Sequence, residues 1–174
     1  MFDWTAGGKT LLLARSGPVE QGAGIVELDP VTGSEKLIYR PKDGVEKVKF
    51  FAMKCSPDYK RLAYTLNRKL MVFNLETGES QEMASGVWCP NWSKNGEMLI
   101  CLGPSKSKDG HNHWLSVIPT NGGEMSTYNI SENLPQGCKI RSFDWTPDGK
   151  KLAFHINKSS HEVVLYQNLI PEDQ

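Results

Sequence analysis

A fourfold internal repeat constrains this chain more than any other feature. Phe2-Asp3-Trp4-Thr5-Ala6-Gly7-Gly8-Lys9-Thr10-Leu11-Leu12-Leu13 aligns without a gap with Phe143-Asp144-Trp145-Thr146-Pro147-Asp148-Gly149-Lys150-Lys151-Leu152-Ala153-Phe154. Two further copies lie between them, Cys55-Ser56-Pro57-Asp58-Tyr59-Lys60-Arg61-Leu62-Ala63-Tyr64 and Trp92-Ser93-Lys94-Asn95-Gly96-Glu97-Met98-Leu99-Ile100-Cys101. Anchored on Trp4, Cys55, Trp92 and Trp145, the copies are 51, 37 and 53 residues apart. Self-similarity at this period marks a four-stranded propeller blade, whose repeats run roughly 40–50 residues.

The chemistry inside each copy agrees. Ser/Thr-Pro-Asp-Gly suits a type I turn: Pro presets φ, Asp fits the third position and Gly takes the left-handed conformation that follows. Such a turn joins two antiparallel strands. The second copy has Tyr59 where the others have Gly, so strain or a different turn is expected there. The second half of each copy is another hairpin. Ile25–Leu28 turns through Asp29-Pro30-Val31-Thr32-Gly33 into Glu35–Tyr39, and Leu70–Leu75 turns through Glu76-Thr77-Gly78 into Ser80–Met83. Trp114–Ile118 turns through Thr120-Asn121-Gly122-Gly123 into Met125–Tyr128. No stretch holds a helical period over 11 or more residues.

The W-[ST]-P-D-G-K-x-L-A-F block, followed by an apolar strand and an Asp/Asn-x-x-T-G turn, resembles the TolB-like (WD40-like) β-propeller repeat. The resemblance spans essentially the whole chain. It implies an all-β propeller of about four four-stranded antiparallel blades, and it implies no activity, because such propellers serve as scaffolds, peptidase gates and sensor domains alike. A single propeller domain over 1–174 is expected, with blades at about 1–46, 47–86, 87–137 and 138–174. The fourth copy lacks a Thr-Gly or Gly-Gly turn after Val163–Gln167, and Pro171 opposes a central strand. Its outer strand is therefore expected to be missing or very short. Three readings of the ring stay open: a closed four-bladed ring, a half-ring that pairs with a second copy to complete a larger propeller, and a fragment of a longer parent.

Strands alternate in direction within a blade, so the loops sort by parity. The B–C and inter-blade connections share one face, and the long segments Arg15–Gly24, Arg40–Glu46, Gly103–His113 and Ser131–Gly137 all belong to it. Binding residues concentrate on loops held by a rigid scaffold. Arg15, Arg40, Lys108, His111 and His113 are the candidate partner-binding residues there. His111 and His113 form an H-x-H pair, which on a strand points both imidazoles to one side, a geometry that metal sites use. No third ligand follows in sequence, although His155 and His161 belong to the neighbouring blade. A solvated polar loop entering a strand is the weightier reading. Trp4, Trp92 and Trp145 are expected between blades, since they occupy one position of the repeat.

There is no G-x-S-x-G, P-loop, G-x-G-x-x-G, H-E-x-x-H or EF-hand loop. No catalytic residue, metal or cofactor is therefore assigned. Lys plus Arg and Asp plus Glu both number 20, which leaves no electrostatic footprint for nucleic acid or anionic membrane. No apolar run reaches the roughly 18 residues that would span a bilayer, and Met1–Arg15 lacks the pattern of a signal peptide. A soluble, cytoplasmic chain is expected as written, while a longer parent leaves the compartment open. Cys55, Cys89, Cys101 and Cys138 form no C-x-x-C pair, and free, mostly buried thiols are expected. The functional expectation is a non-catalytic scaffold or protein–protein interaction module, acting through the long-loop face. The alternatives are part of an enzyme system (a peptidase gate or a metal-assisted lyase) and part of a sensor or regulator.

Overall fold

In the computed structural model the described residues are 1–41, 45–103, 114–135, 137–145, 151–157 and 161–167, with backbone alone for 133, 145 and 161–167. Strands β1 (Phe2–Trp4), β2 (Leu11–Arg15), β4 (Gly24–Leu28) and β5 (Glu35–Tyr39) form the first blade in the order β1-β2-β4-β5, with β3 (Gly17–Pro18) lying in the loop between β2 and β4. After β6 (Lys47–Val48), the second blade is β7 (Phe50–Cys55), β8 (Arg61–Leu66), β9 (Lys69–Asn74) and β10 (Ser80–Ser85). The third is β11 (Trp88–Trp92), β12 (Met98–Leu102), β13 (Trp114–Pro119) and β14 (Ser126–Asn129). The fourth contains β15 (Lys139–Trp145), β16 (Lys151–Asn157) and β17 (His161–Gln167). All pairing within the blades is antiparallel. The expected absence of a fourth strand in the last blade concerns residues 168–174, which lie outside the described residues.

The repeat turns form as their residues dictate. In the second blade the Tyr59 N–H donates to the Ser56 carbonyl at 2.9 Å, and the Ser56 hydroxyl donates to Asp58 Oδ1 at 2.5 Å. These bonds hold the Asp58 carboxyl below its ordinary pKa, the hydroxyl first and the Lys60 N–H second. Tyr59 adopts φ +56°, so the turn keeps its geometry and the side chain carries the left-handed strain. The C–D turns are built alike: Asp29 Oδ1 accepts from the Val31 and Thr32 N–H groups, and Asn74 Oδ1 from those of Glu76 and Thr77.

Strand alternation gives each blade two apolar faces, and successive blades press opposite faces together. One buried cluster joins Leu12, Ala14 and Ile25 of the first blade to Met53, Cys55, Leu62, Tyr64 and Phe73 of the second. A second joins Ala63 and Leu70 to Trp92, Leu99, Cys101 and Ile118 of the third blade. A third joins Ile100, Leu102 and Leu115 to Phe143, Leu152, Phe154 and Ile156 of the fourth. Among the described residues no buried cluster joins the fourth blade to the first.

Polar bonds stitch the same seams. Asp3 Oδ2 accepts the Cys55 N–H at 2.8 Å, Trp92 Nε1 donates to the Lys54 carbonyl at 2.9 Å, and Asn91 Nδ2 donates to Asp144 Oδ1 at 2.8 Å. Trp92 is inter-blade packing, as its repeat position implies. Trp4 departs from that expectation and is 44% exposed: among the described residues no blade lies against its side of the first sheet. The Trp145 side chain is outside the described residues. All four cysteines are thiols rather than disulfides; Cys55, Cys101 and Cys138 are buried and Cys89 is partly so.

Candidate functional site: the long-loop face

Hydrogen bonds bring the long loops of the first two blades together. The loop after β2 and the linker before β7 pair as a short ladder, β3 with β6, matching Gly17 with Val48 and Pro18 with Lys47. The Val19 N–H extends it by donating to the Glu46 carbonyl at 3.0 Å. Ser16 Oγ accepts the Phe50 N–H at 2.9 Å and so ties the loop to the second blade's inner strand. Pro18 suits the edge of this ladder because it has no N–H to leave unpaired. Gly24 is required where the loop re-enters the blade, since a Cβ there would lie 2.5 Å from the Tyr39 carbonyl oxygen.

The sequence-predicted residues fare unequally. Arg15 grips the Glu35 carboxylate with both guanidinium ends, Nη1 to Oε2 at 2.8 Å and Nη2 to Oε1. That fork raises the Arg15 pKa and lowers that of Glu35, the hydrogen bonds leading in both. Arg15 thus spends its planar donor set within its own blade. Arg40 is exposed just past β5 and forms no ion pair among the described residues. Lys108, His111 and His113 lie outside the described residues.

Other residues of this face were missed by sequence reasoning. Phe51 is 46% exposed, with Lys49 Nζ 4.9 Å from its ring centroid. The inner strands β7, β11 and β15 each slip register near their long-loop ends, between Phe50 and Ala52, Trp88 and Asn91, and Ile140 and Ser142. Bulges of this kind re-aim side chains. Counting back four residues from Cys55, Trp92 and Trp145 gives Phe51, Trp88 and Arg141. That shared column was the available signal, but the repeat block begins too late to include it. Trp88 packs under Gly103, where a Cβ would lie 2.7 Å from the Gly86 carbonyl oxygen and 3.1 Å from the indole.

Little acid–base or nucleophilic chemistry is assembled among the described residues. Burial pushes the Cys55 thiol up to about 12, helped by the Asp3 charge, and raises Cys89 and Cys101 as well. These thiols stay protonated and are poor nucleophiles. No group of three or more His, Cys, Asp or Glu could hold a metal ion among the described residues. No described helix is long and apolar enough to cross a membrane.

Comparison with solved structures gives the fold a class. The chain is similar to a TolB-type protein of Agrobacterium tumefaciens, with TM-score 0.67 and 16% identity over 95% of this chain and 60% of the other. It is similar to TolB from Acinetobacter baumannii, with TM-score 0.68 and 19% identity over 95% of this chain and 40% of the other. It is also similar to an oligogalacturonate lyase from Vibrio parahaemolyticus, with TM-score 0.64 and 15% identity over 96% of this chain and 50% of the other. No protein-family model matches the sequence, and no curated protein matches it. The chain therefore has the TolB-like, WD40-like β-propeller fold, and spans 40–60% of the length of these three structures. A fold shared by such different proteins assigns no activity by itself.

Proposed function

We propose that the chain is a non-catalytic scaffold that binds a protein partner through its long-loop face. The observation that carries this reading is the β3–β6 ladder. It ties two loops that would otherwise be independent into one platform beside the exposed Phe51, with Lys47 and Lys49 adjacent. Preorganised loops lower the ordering cost of binding, and an exposed aromatic side chain is of the kind that interfaces enrich. Substituting Phe51→Ser together with Lys49→Glu tests it, with Lys94→Glu, in the A–B turn of the third blade, as control. A partner captured by the wild-type chain and identified by mass spectrometry is expected to bind the double variant at least about tenfold more weakly. Equal binding by wild type and double variant would remove this reading.

A second reading places the chain in an enzyme system, in keeping with the fold it shares with an oligogalacturonate lyase structure, with the H-x-H pair His111 and His113 as candidate metal ligands. Elemental analysis of purified chain after metal exposure decides it. A stoichiometric ion lost in His111→Ala would support it, and none would set it aside.

A further inference from the structure

The chain contains two Asn-Gly dipeptides, Asn95-Gly96 and Asn121-Gly122. Both lie in turns of the third blade, one between β11 and β12 and the other between β13 and β14, at the end opposite the long loops. Such a dipeptide is open to attack by the glycine nitrogen on the preceding side-chain amide, because glycine has no Cβ to obstruct the approach. The two turns hold the reacting atoms very differently. At Asn95 the nucleophile is engaged: the Gly96 N–H donates to the Ser93 carbonyl at 2.9 Å, and Gly96 is buried. The Gly96 carbonyl is fixed as well, by Arg61 Nη2 at 2.7 Å and the Thr120 hydroxyl at 3.2 Å. The amide that would leave is also bound, since Asn95 Nδ2 donates to Glu97 Oε2 at 2.6 Å.

At Asn121 these restraints are missing. Asn121, Gly122 and Gly123 are all exposed. Among the described residues neither the Gly122 N–H nor Asn121 Nδ2 donates to a partner. A Cβ placed on Gly122 would meet nothing within 4 Å, so the space around its nitrogen is clear. Asn121 Oδ1 accepts the Gly123 N–H at 3.2 Å, which sets a donor on the oxygen where negative charge develops when Cγ is attacked. The Asn95 carbonyl has donors of its own, the Ser93 hydroxyl at 2.7 Å and the Glu97 N–H at 3.2 Å. The carbonyls therefore do not separate the two sites; the freedom of the nucleophile and of the leaving amide does.

We propose that Asn121 is a site of spontaneous deamidation in the folded protein, and that the fold protects Asn95 from the same reaction. The Gly122 nitrogen gives its proton to hydroxide and bonds to Asn121 Cγ. The Cγ–Nδ2 bond breaks, and the amide leaves as ammonia after taking a proton from water. Water then opens the resulting cyclic imide at either carbonyl, leaving aspartate or isoaspartate. The sum consumes one water and releases one ammonia, with no change of oxidation state. Asn95 follows this course only after its turn opens and breaks the bonds that hold it, which costs free energy. Each event adds one negative charge to a chain whose 20 cations and 20 anions balance. An isoaspartate also lengthens the backbone directly after Thr120, whose hydroxyl accepts from Arg61 of the second blade at 3.1 Å. The inference concerns the short-turn face and is independent of partner binding by the long-loop face.

The test is incubation of the purified chain at mildly alkaline pH, followed by peptide mapping with fragment-ion assignment of each site. In the folded chain Asn121 is expected to convert at least about tenfold faster than Asn95, giving both aspartate and isoaspartate. In denaturing urea the two rates should converge, because the bonds that protect Asn95 are then gone. Asn121→Gln should remove the acidic species that ion exchange resolves from the parent during the folded incubation. Equal rates at the two sites of the folded chain, or a faster Asn95, would overturn the proposal. So would a folded chain that keeps Asn121 intact while the denatured chain converts it. A difference that persists undiminished in urea would overturn it as well, since local sequence rather than the fold would then set the order.

Discussion

Trp4 and Trp92 occupy the same position of the same repeat and live in different surroundings. Trp92 is 4% exposed in the seam between the second and third blades. Its indole N–H is bound by the Lys54 carbonyl, and the Arg61 guanidinium lies 4.9 Å from its ring centroid. Trp4 is 44% exposed on the first blade's outer sheet face. The lesson is that a propeller repeat encodes a surface and does not encode whether that surface is covered. A packed neighbouring blade decides that, and among the described residues none packs against Trp4's side of the first blade.

The sharpest way to break the comparison is to truncate both tryptophans. Trp92→Ala leaves a cavity between two blades and an unpaired carbonyl, and should cost about 3–5 kcal/mol. Trp4→Ala, measured on the dilute chain, should cost about 1 kcal/mol or less, because water already reaches the ring. Urea unfolding of both variants checks this, and equal losses would mean that Trp4 is covered in solution.

Arg61 sharpens the comparison from the other side of the same seam. Its Nη2 donates to the Gly96 carbonyl at 2.7 Å and its Nη1 to Thr120 Oγ1 at 3.1 Å, while its plane covers Trp92. The first blade has Thr10 at this position, too short to reach across to the second blade as Arg61 reaches across to the third. Arg61→Ala is expected to cost about 2 kcal/mol, from charge-assisted hydrogen bonds and a partly desolvated cation–π contact. Thr10→Ala loses the hydroxyl bonds to Thr5 and Glu27 within its own blade and should cost about 1 kcal/mol. The same unfolding series ranks the two, and the reverse order would show that the seam is not held by its arginine.

Thr65 sits on the face of the second blade that packs against the third, fully buried, with a hydroxyl that has no hydrogen-bond partner among the described residues. The first blade places Ala14 there and the third Leu102. Thr65→Val keeps the shape, removes the unpaired hydroxyl and should stabilise the chain by about 1 kcal/mol. A rise in thermal midpoint checks it, and a fall would mean that the hydroxyl is bonded in solution.

The smallest effect expected is at Tyr59, whose counterpart in the first blade is Gly8. Both are left-handed, at φ +56° and +64°. Tyr59→Gly relieves roughly 1–2 kcal/mol of backbone strain and loses part of that to chain entropy, leaving a net gain of about 0.5 kcal/mol. Chemical denaturation in replicate resolves a change of this size, and a net loss would show that the exposed ring contributes packing.

Much of this architecture was legible before any coordinates. The turn blocks predicted three C–D hairpins, and each strand pair forms within a few residues of its expected bounds. The missing glycine at Tyr59 predicted strain at the residue that carries it. The candidate face was legible only as loop parity. Arg15 stood out as a cation in a long loop, yet its guanidinium reaches the Glu35 carboxylate of its own blade, and that ion pair engages it. Phe51 drew no notice, because an aromatic residue in a strand normally reads as core. A register slip in β7 accompanies its exposure, and slips of that kind arise from the closure of two strands rather than from one residue's identity.

By itself the sequence determined the local order: four turn blocks, the hairpins around them and the alternation that gives the first three sheets their two apolar faces. These follow from φ preferences and from period-two alternation, which act over a few residues. The tertiary structure alone decided which faces are covered, which cations are already paired and which loops join through the β3–β6 ladder. Those outcomes depend on groups tens of residues apart meeting in space, which no single repeat unit specifies.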